Sequence, residues 1–215
     1  MTTRKKSATA TRDKLLDVAE RLFAERGFDG VSVRDITDAA EVRLASVNYH
    51  FKTKQNLFKE VIQRRASVLN DDRRAALEEI ELDTLSPQQG VQAIARAFIY
   101  PIYQRSTLGD PGWKNYCRLI AQLAALRSSS ELTAETFNPV ALDVIDRLRT
   151  VLPDLDERRA HYALQYLIGA MVYVFSENER LDILSNRAYS SHDLEALCAD
   201  LVTFVSGGII AMLAS

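Results

Sequence analysis

The sequence predicts an all-α protein with a small amino-terminal helical domain and a larger carboxy-terminal helical domain. Three observations favour this fold class. Apolar residues recur at the 3.6-residue spacing of helices along most of the 215 residues. Alternating apolar and polar runs, which indicate strands, are weak. Breakers such as Gly27, Ser86-Pro87, 108–112 and Pro153 separate the periodic stretches.

The first predicted helix covers residues 11–26 and ends at Gly27. Residues 1–10 before it are polar and basic, with Arg4, Lys5 and Lys6. Two interpretations of this segment remain open. It is either a mobile arm that contacts DNA phosphates or the minor groove, or a solvated tail.

Residues 32–54 predict a short helix, a tight turn and a second short helix. Ser32 is a suitable N-cap, and Asp35 completes a capping box. The second helix places Leu44, Val47 and Phe51 on an apolar face. Its other face is polar and comprises Arg43, Ser46, Asn48, Tyr49 and His50. Such side chains hydrogen-bond phosphates and base edges, and this arrangement is typical of a helix-turn-helix that enters the major groove.

The run Val-Asn-Tyr-His-Phe, followed by Lys54 and Leu57, resembles the DNA-binding segment of the TetR family of bacterial repressors. The resemblance extends over about residues 10–65. Two positions depart from the family pattern: Glu41 stands where the turn usually has Gly, and Ala45 stands where Gly or Pro is common. If the turn needs a positive φ, Glu41 costs more there than Gly would.

Base contacts are expected from Asn48 and Arg43, because Asn suits adenine and Arg suits guanine. Phosphate contacts are expected from Ser46, Tyr49, His50 and Lys54, with Arg34 of the preceding helix as a helper. For Tyr49 and His50, packing at the end of the helix remains the alternative interpretation.

The charge distribution agrees with DNA contact by the amino-terminal part. The net charge is −2, but residues 1–65 hold 14 Lys and Arg against 9 Asp and Glu. The remainder holds 13 basic against 20 acidic residues, so the two parts carry +5 and −7. Phosphates need local cations and not a basic protein as a whole.

Further helices are predicted along the rest of the chain. One long helix starts near Thr53 and reaches about Glu81, so it would be a rigid lever between the two domains. The next begins at Ser86-Pro87, and Pro101 should kink or end it. The last three are expected at about 139–152, 155–179 and 192–213.

An effector site is expected in the carboxy-terminal domain, because aromatic and apolar residues accumulate there with few charges besides Arg105 and Arg118. Such a lining suits an apolar small molecule with a polar end. Each of these residues has an ordinary core position as its alternative. The candidates are Phe98, Ile102, Tyr103, Trp113, Tyr116, Ile120, Leu123, Phe137, Met171 and Phe175.

The last two long helices are apolar on nearly every side, which predicts a four-helix interface with a second copy. The TetR resemblance implies the same homodimer. The alternative is that both helices lie inside the core of one subunit. The expected interface residues are Tyr166, Gly169, Ala170, Tyr173, Leu201, Val205 and Ile209.

No catalytic cluster, cofactor motif or metal-ligand spacing is recognisable, so we expect a protein that is not an enzyme and binds no cofactor or metal. Cys117 and Cys198 are expected to be buried thiols. The amino terminus does not resemble a signal peptide, and no apolar stretch predicts a membrane span, which favours the cytoplasm.

The sequence therefore predicts a helix-turn-helix DNA-binding domain with a basic arm at 1–55 and an effector-binding and dimerisation domain at 56–215. The expected function is a homodimeric repressor that an apolar small molecule releases from operator DNA. The alternative is a dimeric helical protein that binds a hydrophobic ligand and does not act on DNA. The later part is loosely similar to TetR members that respond to fatty acids or acyl-coenzyme A.

Overall fold

The computed structural model describes residues 2–124 and 130–214, and no strand occurs in these ranges. The all-α prediction is confirmed. Short 3-10 turns occupy Leu82–Thr84 and Met212–Ala214. The α-helices are α1 (Thr2–Arg26), α2 (Val33–Ala39), α3 (Ala45–His50), α4 (Lys54–Glu78), α5 (Pro87–Leu108), α6 (Gly112–Ala124), α7 (Ser130–Val151), α8 (Glu157–Phe175), α9 (Arg180–Leu184) and α10 (Leu194–Ala211).

Side-chain caps explain where several helices begin. Ser32 before α2 and Ser86 before α5 each form a complete capping box, with Asp35 and Gln89 as the reciprocal partners. At α4, the Thr53 hydroxyl accepts a hydrogen bond from the Asn56 amide at 3.1 Å. Each cap satisfies an amide that the first helical turn leaves unpaired. The sequence predicted these three starts correctly.

The first compact unit consists of Met1–Ala66 together with Pro111–Leu132. In it, α1 packs against α2, α3 and α6. Its core is formed by buried apolar side chains, among them Leu15, Leu16, Phe23, Val31, Ile36, Val47, Phe51, Leu57 and Leu119. The predicted boundary at residue 55 does not coincide with this unit, because the unit continues to Ala66 and also includes α6.

The second compact unit consists of Ser67–Asp110 and Thr133–Ser215. Helix α10 packs against α5 and α8, and α5 also contacts α8. Helices α5 and α7 approach closely at Gly90, where an added Cβ would lie 2.8 Å from Cγ1 of Val151. Buried side chains such as Ile94, Val144, Leu167 and Val202 form the core of this unit.

The helices differ from the sequence prediction in three places, at the start of α1, at the start of α7 and in the presence of α9. Helix α1 begins at Thr2, so the segment expected to be a mobile arm is helical. Helix α5 continues through Pro101 to Leu108, and of the two expected outcomes the proline does not end the helix. Helix α7 begins at Ser130 and contains Pro139, although Pro139 was expected at its start. The short α9 was not predicted. At α7 the preference of proline for a helix start gave the wrong boundary, because tertiary packing can override local propensity.

Helix α10 differs from the expectation that no stretch is long and apolar enough to cross a membrane. Its 18 residues have the length and composition of a membrane span, and 39% of them are buried within the chain. A core helix of a soluble protein passes the same test, so this finding is weak evidence for a span.

Candidate nucleic-acid interface

Helix α2 is anchored by its amino-terminal cap. The Ser32 amide donates to a carboxylate oxygen of Asp35 at 2.7 Å, and the Asp35 amide donates to the Ser32 hydroxyl at 3.1 Å. The hydrogen bonds from Ser32 lower the pKa of Asp35. At the other end of α2, the Ala40 amide donates to the carbonyl of Ile36 at 2.9 Å. The cap thus fixes the first helix of the pair.

The turn between α2 and α3 is built around Glu41, which has a φ of 51°. This left-handed conformation is the one that Gly adopts without a steric penalty, so the departure from the TetR pattern has a conformational cost. The Glu41 amide donates to the carbonyl of Asp38 at 3.0 Å, and its side chain lies 3.4 Å from the Lys14 ammonium. Glu41 therefore forms the turn with strained backbone and a surface ion pair.

Helix α3 is held in the core from one side. Val47 and Phe51 are buried, as predicted, but Leu44 was expected to be buried with them and is 45% exposed. Leu44 lies at the amino-terminal end of α3, where the helix emerges from the core. The anchoring contact is consequently concentrated at Val47 and Phe51.

The opposite side of α3 is open to solvent. Arg43 and Asn48 are exposed, and Tyr49 is 72% exposed, whereas Ser46 and His50 are half-buried. The His50 ring lies 4.8 Å from the Tyr49 ring and 5.9 Å from the Phe51 ring, measured between centroids. His50 thus contacts the core aromatic Phe51 as well as the exposed Tyr49, and both interpretations of its role remain open.

The two remaining candidate DNA contacts flank α3. Arg34 is exposed on α2. Lys54 is half-buried in the first turn of α4, and its ammonium lies 4.2 Å from the centroid of the Phe28 ring. Phe28 in turn packs against Phe23 and Phe58. This cation–π contact, which sequence reasoning missed, positions the Lys54 charge at the amino terminus of α4.

A buried ion cluster joins α1 to α4 behind the interface. The Glu20 carboxylate is 2% exposed and accepts hydrogen bonds from Arg64 at 2.8 Å and from Arg65 at 2.8 and 3.0 Å. The Arg65 guanidinium also lies 4.9 Å from the centroid of the Trp113 ring on α6. A second, more exposed pair links Arg12 to Glu60. Sequence reasoning missed this cluster, because charged residues are usually solvated.

The residues expected to line an effector site fall into both compact units. Trp113, Tyr116, Ile120 and Leu123 belong to α6 in the first unit. The other six belong to α5, α7 and α8 in the second unit, and Phe98, Ile102, Met171 and Phe175 are buried there. Tyr103 and Phe137 are half-buried. A single site that contains all ten residues stays a prediction.

Arg105 is not part of an apolar lining. Its guanidinium forms two hydrogen bonds to Asp72, at 2.7 and 2.9 Å. Both residues line an open groove of about 660 Å³ between α4 and α5, with Arg96, Tyr100 and Gln104. None of the predicted effector residues lines this groove. Arg118, the other charge considered, is exposed on α6.

The expected dimer residues divide into two sets. On α8, Tyr166 and Tyr173 are exposed together with Gly169, and Ala170 is half-buried. On α10, however, Leu201, Val205 and Ile209 are buried within the chain itself. These three cannot form the surface that a second copy would cover, since their side chains already pack inside the subunit. The exposed face of α10 instead carries Phe204, Gly207 and Gly208.

Among the described residues, no group of three or more His, Cys, Asp and Glu is arranged to hold a metal ion. Cys117 and Cys198 are buried free thiols. Burial raises the pKa of Cys198, which keeps that thiol protonated.

Two family profiles match this chain. The profile described as "Bacterial regulatory proteins, tetR family" matches residues 15–61, and "Tetracyclin repressor-like, C-terminal domain" matches residues 96–208. The second match alone covers more than half of the 215 residues. The first match contains α2 and α3, and the second contains α6 to α9.

Sequence identity to curated relatives extends over about a quarter of the chain. The chain is 44% identical over 52 residues to the HTH-type transcriptional repressor KstR2 of Rhodococcus jostii, which is 24% of this chain and 26% of that protein. The KstR2 of Mycolicibacterium smegmatis is 42% identical over a stretch of the same length, 25% of its own. The chain thus matches about a quarter of the length of these relatives.

Structural similarity extends over nearly the whole chain. The fatty acid degradation regulator FadR from Bacillus halodurans superposes with a TM-score of 0.64 at 18% identity, covering 92% of this chain and 95% of that one. At such identity the likeness concerns the fold alone.

Proposed function

The chain belongs to the TetR family of bacterial regulatory proteins, and from this premise we propose that it is a homodimeric repressor that binds operator DNA and dissociates when a small apolar effector binds. The observation that carries the proposal is the two-sided character of α3. One side is fixed in the core by Val47 and Phe51, and the other presents Arg43, Asn48 and Tyr49 to solvent. A buried polar face would have contradicted it.

In this proposal, α3 enters the major groove and Asn48 and Arg43 contact base edges. The phosphates around it are contacted by Tyr49, Ser46, His50, Lys54 and Arg34. The charge of +5 on residues 1–65 supports this orientation, because phosphate binding releases counterions where cations accumulate. Two subunits would address half-sites about 34–36 Å apart, one turn of the duplex.

The proposed subunit contact uses the exposed faces of α8 and α10. One face of α8 carries residues at helical spacing, namely Tyr162, Tyr166, Gly169 and Tyr173. The three tyrosines are exposed. Phe204 is 74% exposed on the neighbouring α10. No atom lies within 4 Å of a Cβ added at Gly169, Gly207 or Gly208, which leaves space for the close approach of another helix. Exposed apolar patches of this kind mark protein interfaces.

Effector response would be transmitted by α4. This helix is continuous from Lys54 to Glu78, and its residues belong to the first unit up to Ala66 and to the second from Ser67. A ligand that binds better to one arrangement of the two α4 helices in a dimer favours that arrangement. If that arrangement spaces the α3 helices wrongly for DNA, the operator is released.

The decisive experiment is DNA selection by the purified chain, followed by titration of the selected duplex in fluorescence anisotropy. Asn48→Ala should weaken the specific complex by about 1–3 kcal/mol and relax selection at one base pair. Lys54→Ala should weaken all duplexes alike and reduce the slope of affinity against salt concentration by about one. Arg149→Ala, on the exposed surface of α7, is the matched control and should change neither.

The same titration separates the repressor from its alternative. A dimeric protein that only carries a hydrophobic ligand would select no sequence, and its weak DNA binding would be unaffected by Asn48→Ala. Selection of the same duplex by both the Asn48→Ala and the Arg43→Ala variants would show that α3 is not the reading element.

A further inference from the structure

Two polar residues occupy the buried side of α4 in the second compact unit. Asn70 is 6% exposed and Arg73 is 3% exposed, and both lie on the same helical face as the buried Leu69 and Leu77. Polar residues at such positions cost stability unless they hydrogen-bond or have a function. Their presence on an otherwise apolar stripe requires an explanation.

Arg73 contacts two residues from the set expected to line the effector site. Its Nε donates to the carbonyl of Phe98 at 2.9 Å, and its guanidinium lies 3.9 Å from the centroid of the Phe98 ring. Its Nη2 lies 3.4 Å from the Met171 sulfur. A buried positive charge is therefore held against aromatic and thioether groups of α5 and α8.

The side-chain amide nitrogen of Asn70 is hydrogen-bonded, and its amide oxygen is not. Its Nδ2 donates to the backbone carbonyl of Thr136 on α7 at 2.7 Å, which fixes the amide orientation because only nitrogen can donate there. Its Oδ1 is buried and accepts no hydrogen bond, and the hydroxyl of Thr136 is likewise buried without a partner. Each unsatisfied buried polar atom costs roughly 1–3 kcal/mol, so two of them on residues that contact each other are unusual in a native protein.

We propose that Asn70, Thr136 and Arg73 bind the polar end of the effector, and that this end carries a carboxylate and a hydroxyl group on a nearby carbon, as in a 3-hydroxy acid. The ligand hydroxyl would donate to Oδ1 of Asn70. The carboxylate would accept from the Thr136 hydroxyl and lie in the field of the Arg73 guanidinium. Phe98 and Met171 would contact the adjoining part of an apolar chain. The ligand class is thus an apolar hydroxy acid.

This inference rests on the proposed effector response, and it replaces Arg105 and Arg118 as the charges at the polar end. Arg105 is engaged by Asp72, and Arg118 is exposed. Arg73 is buried, and the three residues now named come from α4 and α7 within one compact unit. Because Asn70 and Arg73 lie on α4, binding there would act directly on the helix that continues to Lys54.

The test uses 3-hydroxydecanoate with its shorter and longer homologues, and decanoate as the acid that lacks the hydroxyl. Calorimetric titration of the full chain should give at least one 3-hydroxy acid that binds about tenfold more tightly than its unsubstituted counterpart, since a site built for a hydroxyl discriminates against its absence. Asn70→Leu should abolish this preference. If no homologue binds, or if both acids bind equally, the inference is wrong.

Thr136→Val keeps the test decisive if the Asn70 variant does not fold. Valine replaces an unsatisfied hydroxyl with a methyl group of the same size, so the melting temperature without ligand should be unchanged or higher. The affinity for the hydroxy acid should fall about tenfold. Thr150→Val on the exposed side of the same helix is the control and should leave the affinity unchanged.

Two further outcomes would overturn the inference. If Thr136→Val lowers stability and leaves the affinity unchanged, the Thr136 hydroxyl serves the fold through a buried water and not a ligand. If the chain binds the selected duplex but no hydroxy acid releases it, the DNA-binding proposal stands and this inference fails. If the ligand-free chain selects no duplex at all, the proposed function itself is wrong, whatever the chain binds in calorimetry.

Discussion

The turn at Glu41 provides a sharp test of the link between backbone conformation, stability and DNA affinity. Glu41 combines a φ of 51° with a negative charge in the segment proposed to lie at DNA. Replacing it by Gly removes the steric cost of this φ together with the charge, whereas replacing it by Gln removes only the charge. The comparison of Glu41→Gly with Glu41→Gln therefore isolates the contribution of the backbone.

The expected difference in stability between the Gly and Gln variants follows from two opposing effects. A residue with a Cβ in the left-handed region lowers the free energy of unfolding by about 1–2 kcal/mol. Glycine avoids this cost, but it loses more conformational freedom on folding, which lowers the free energy of unfolding by about 0.5–1 kcal/mol. The Gly variant should thus be about 0.5–1 kcal/mol more stable than the Gln variant. For a chain of this size, that corresponds to a melting temperature higher by about 1–4 °C.

The charge affects DNA binding in both variants alike. One unit charge about 10 Å from a phosphate contributes about 0.4 kcal/mol in water, so each subunit should gain about twofold in affinity at low salt. The gain should shrink when the ionic strength shortens the screening length. Lys14→Ala, which removes the ion-pair partner of Glu41, measures the contribution of that pair to stability.

Thermal unfolding by circular dichroism and fluorescence anisotropy on the selected duplex are the two assays. Equal melting temperatures of the Gly and Gln variants, or a lower one for Gly, would refute the assignment of strain to this turn. Tighter DNA binding by Gly but not by Gln would show that turn geometry, and not charge, limits recognition.

Three further predictions concern the dimer, the buried ions and the helix cap. Phe204→Asp should weaken dimerisation by about 2–4 kcal/mol, since each copy loses most of a phenylalanine burial worth about 1.5–3 kcal/mol. Analytical ultracentrifugation should show this loss. The control, Leu142→Asp on the exposed side of α7, should not weaken the dimer. Glu20→Gln should cost about 3 kcal/mol in urea unfolding, because it leaves its two arginine partners without a buried counter-charge, whereas Glu60→Gln in the exposed pair should cost less than about 1 kcal/mol. Because the pKa of Asp35 is lowered in the folded chain, its carboxylate stabilises the fold at pH values above the ordinary Asp pKa, and this stabilisation is lost as the pH falls through the lowered pKa. The native chain should therefore be more stable than Asp35→Asn at neutral pH and no more stable in acid. A stability difference that persists in acid would contradict the role of the ionised cap.

Local sequence signals predicted the front of the molecule well. Ser32 with Asp35, and Ser86 with Gln89, have partners three residues away, so the chemistry of the cap is contained in a few neighbouring positions. The same holds for α3, where Val47 and Phe51 on one side and Asn48 and Tyr49 on the other follow from helical spacing alone. These features required no knowledge of distant residues.

Predictions failed where a distant residue decides the outcome. Leu201 and its neighbours on α10 are apolar on several sides, and spacing cannot tell which side meets α5 and α8 and which meets solvent. Likewise, α7 passes through Pro139, since the cost of a proline within a helix can be offset by packing that is invisible in the local pattern.

The sequence by itself determined the all-α class, the helix-turn-helix and the family, because each depends on periodicity and on short-range motifs. Only the tertiary structure decided that Glu41 takes a left-handed conformation, that Glu20 and Arg73 are buried, and that Phe204 and not Leu201 faces outward. The physical reason is that burial and backbone strain depend on contacts between residues far apart in the chain. Glu20 meets Arg64 and Arg65 across more than forty residues, and no local pattern specifies such a meeting.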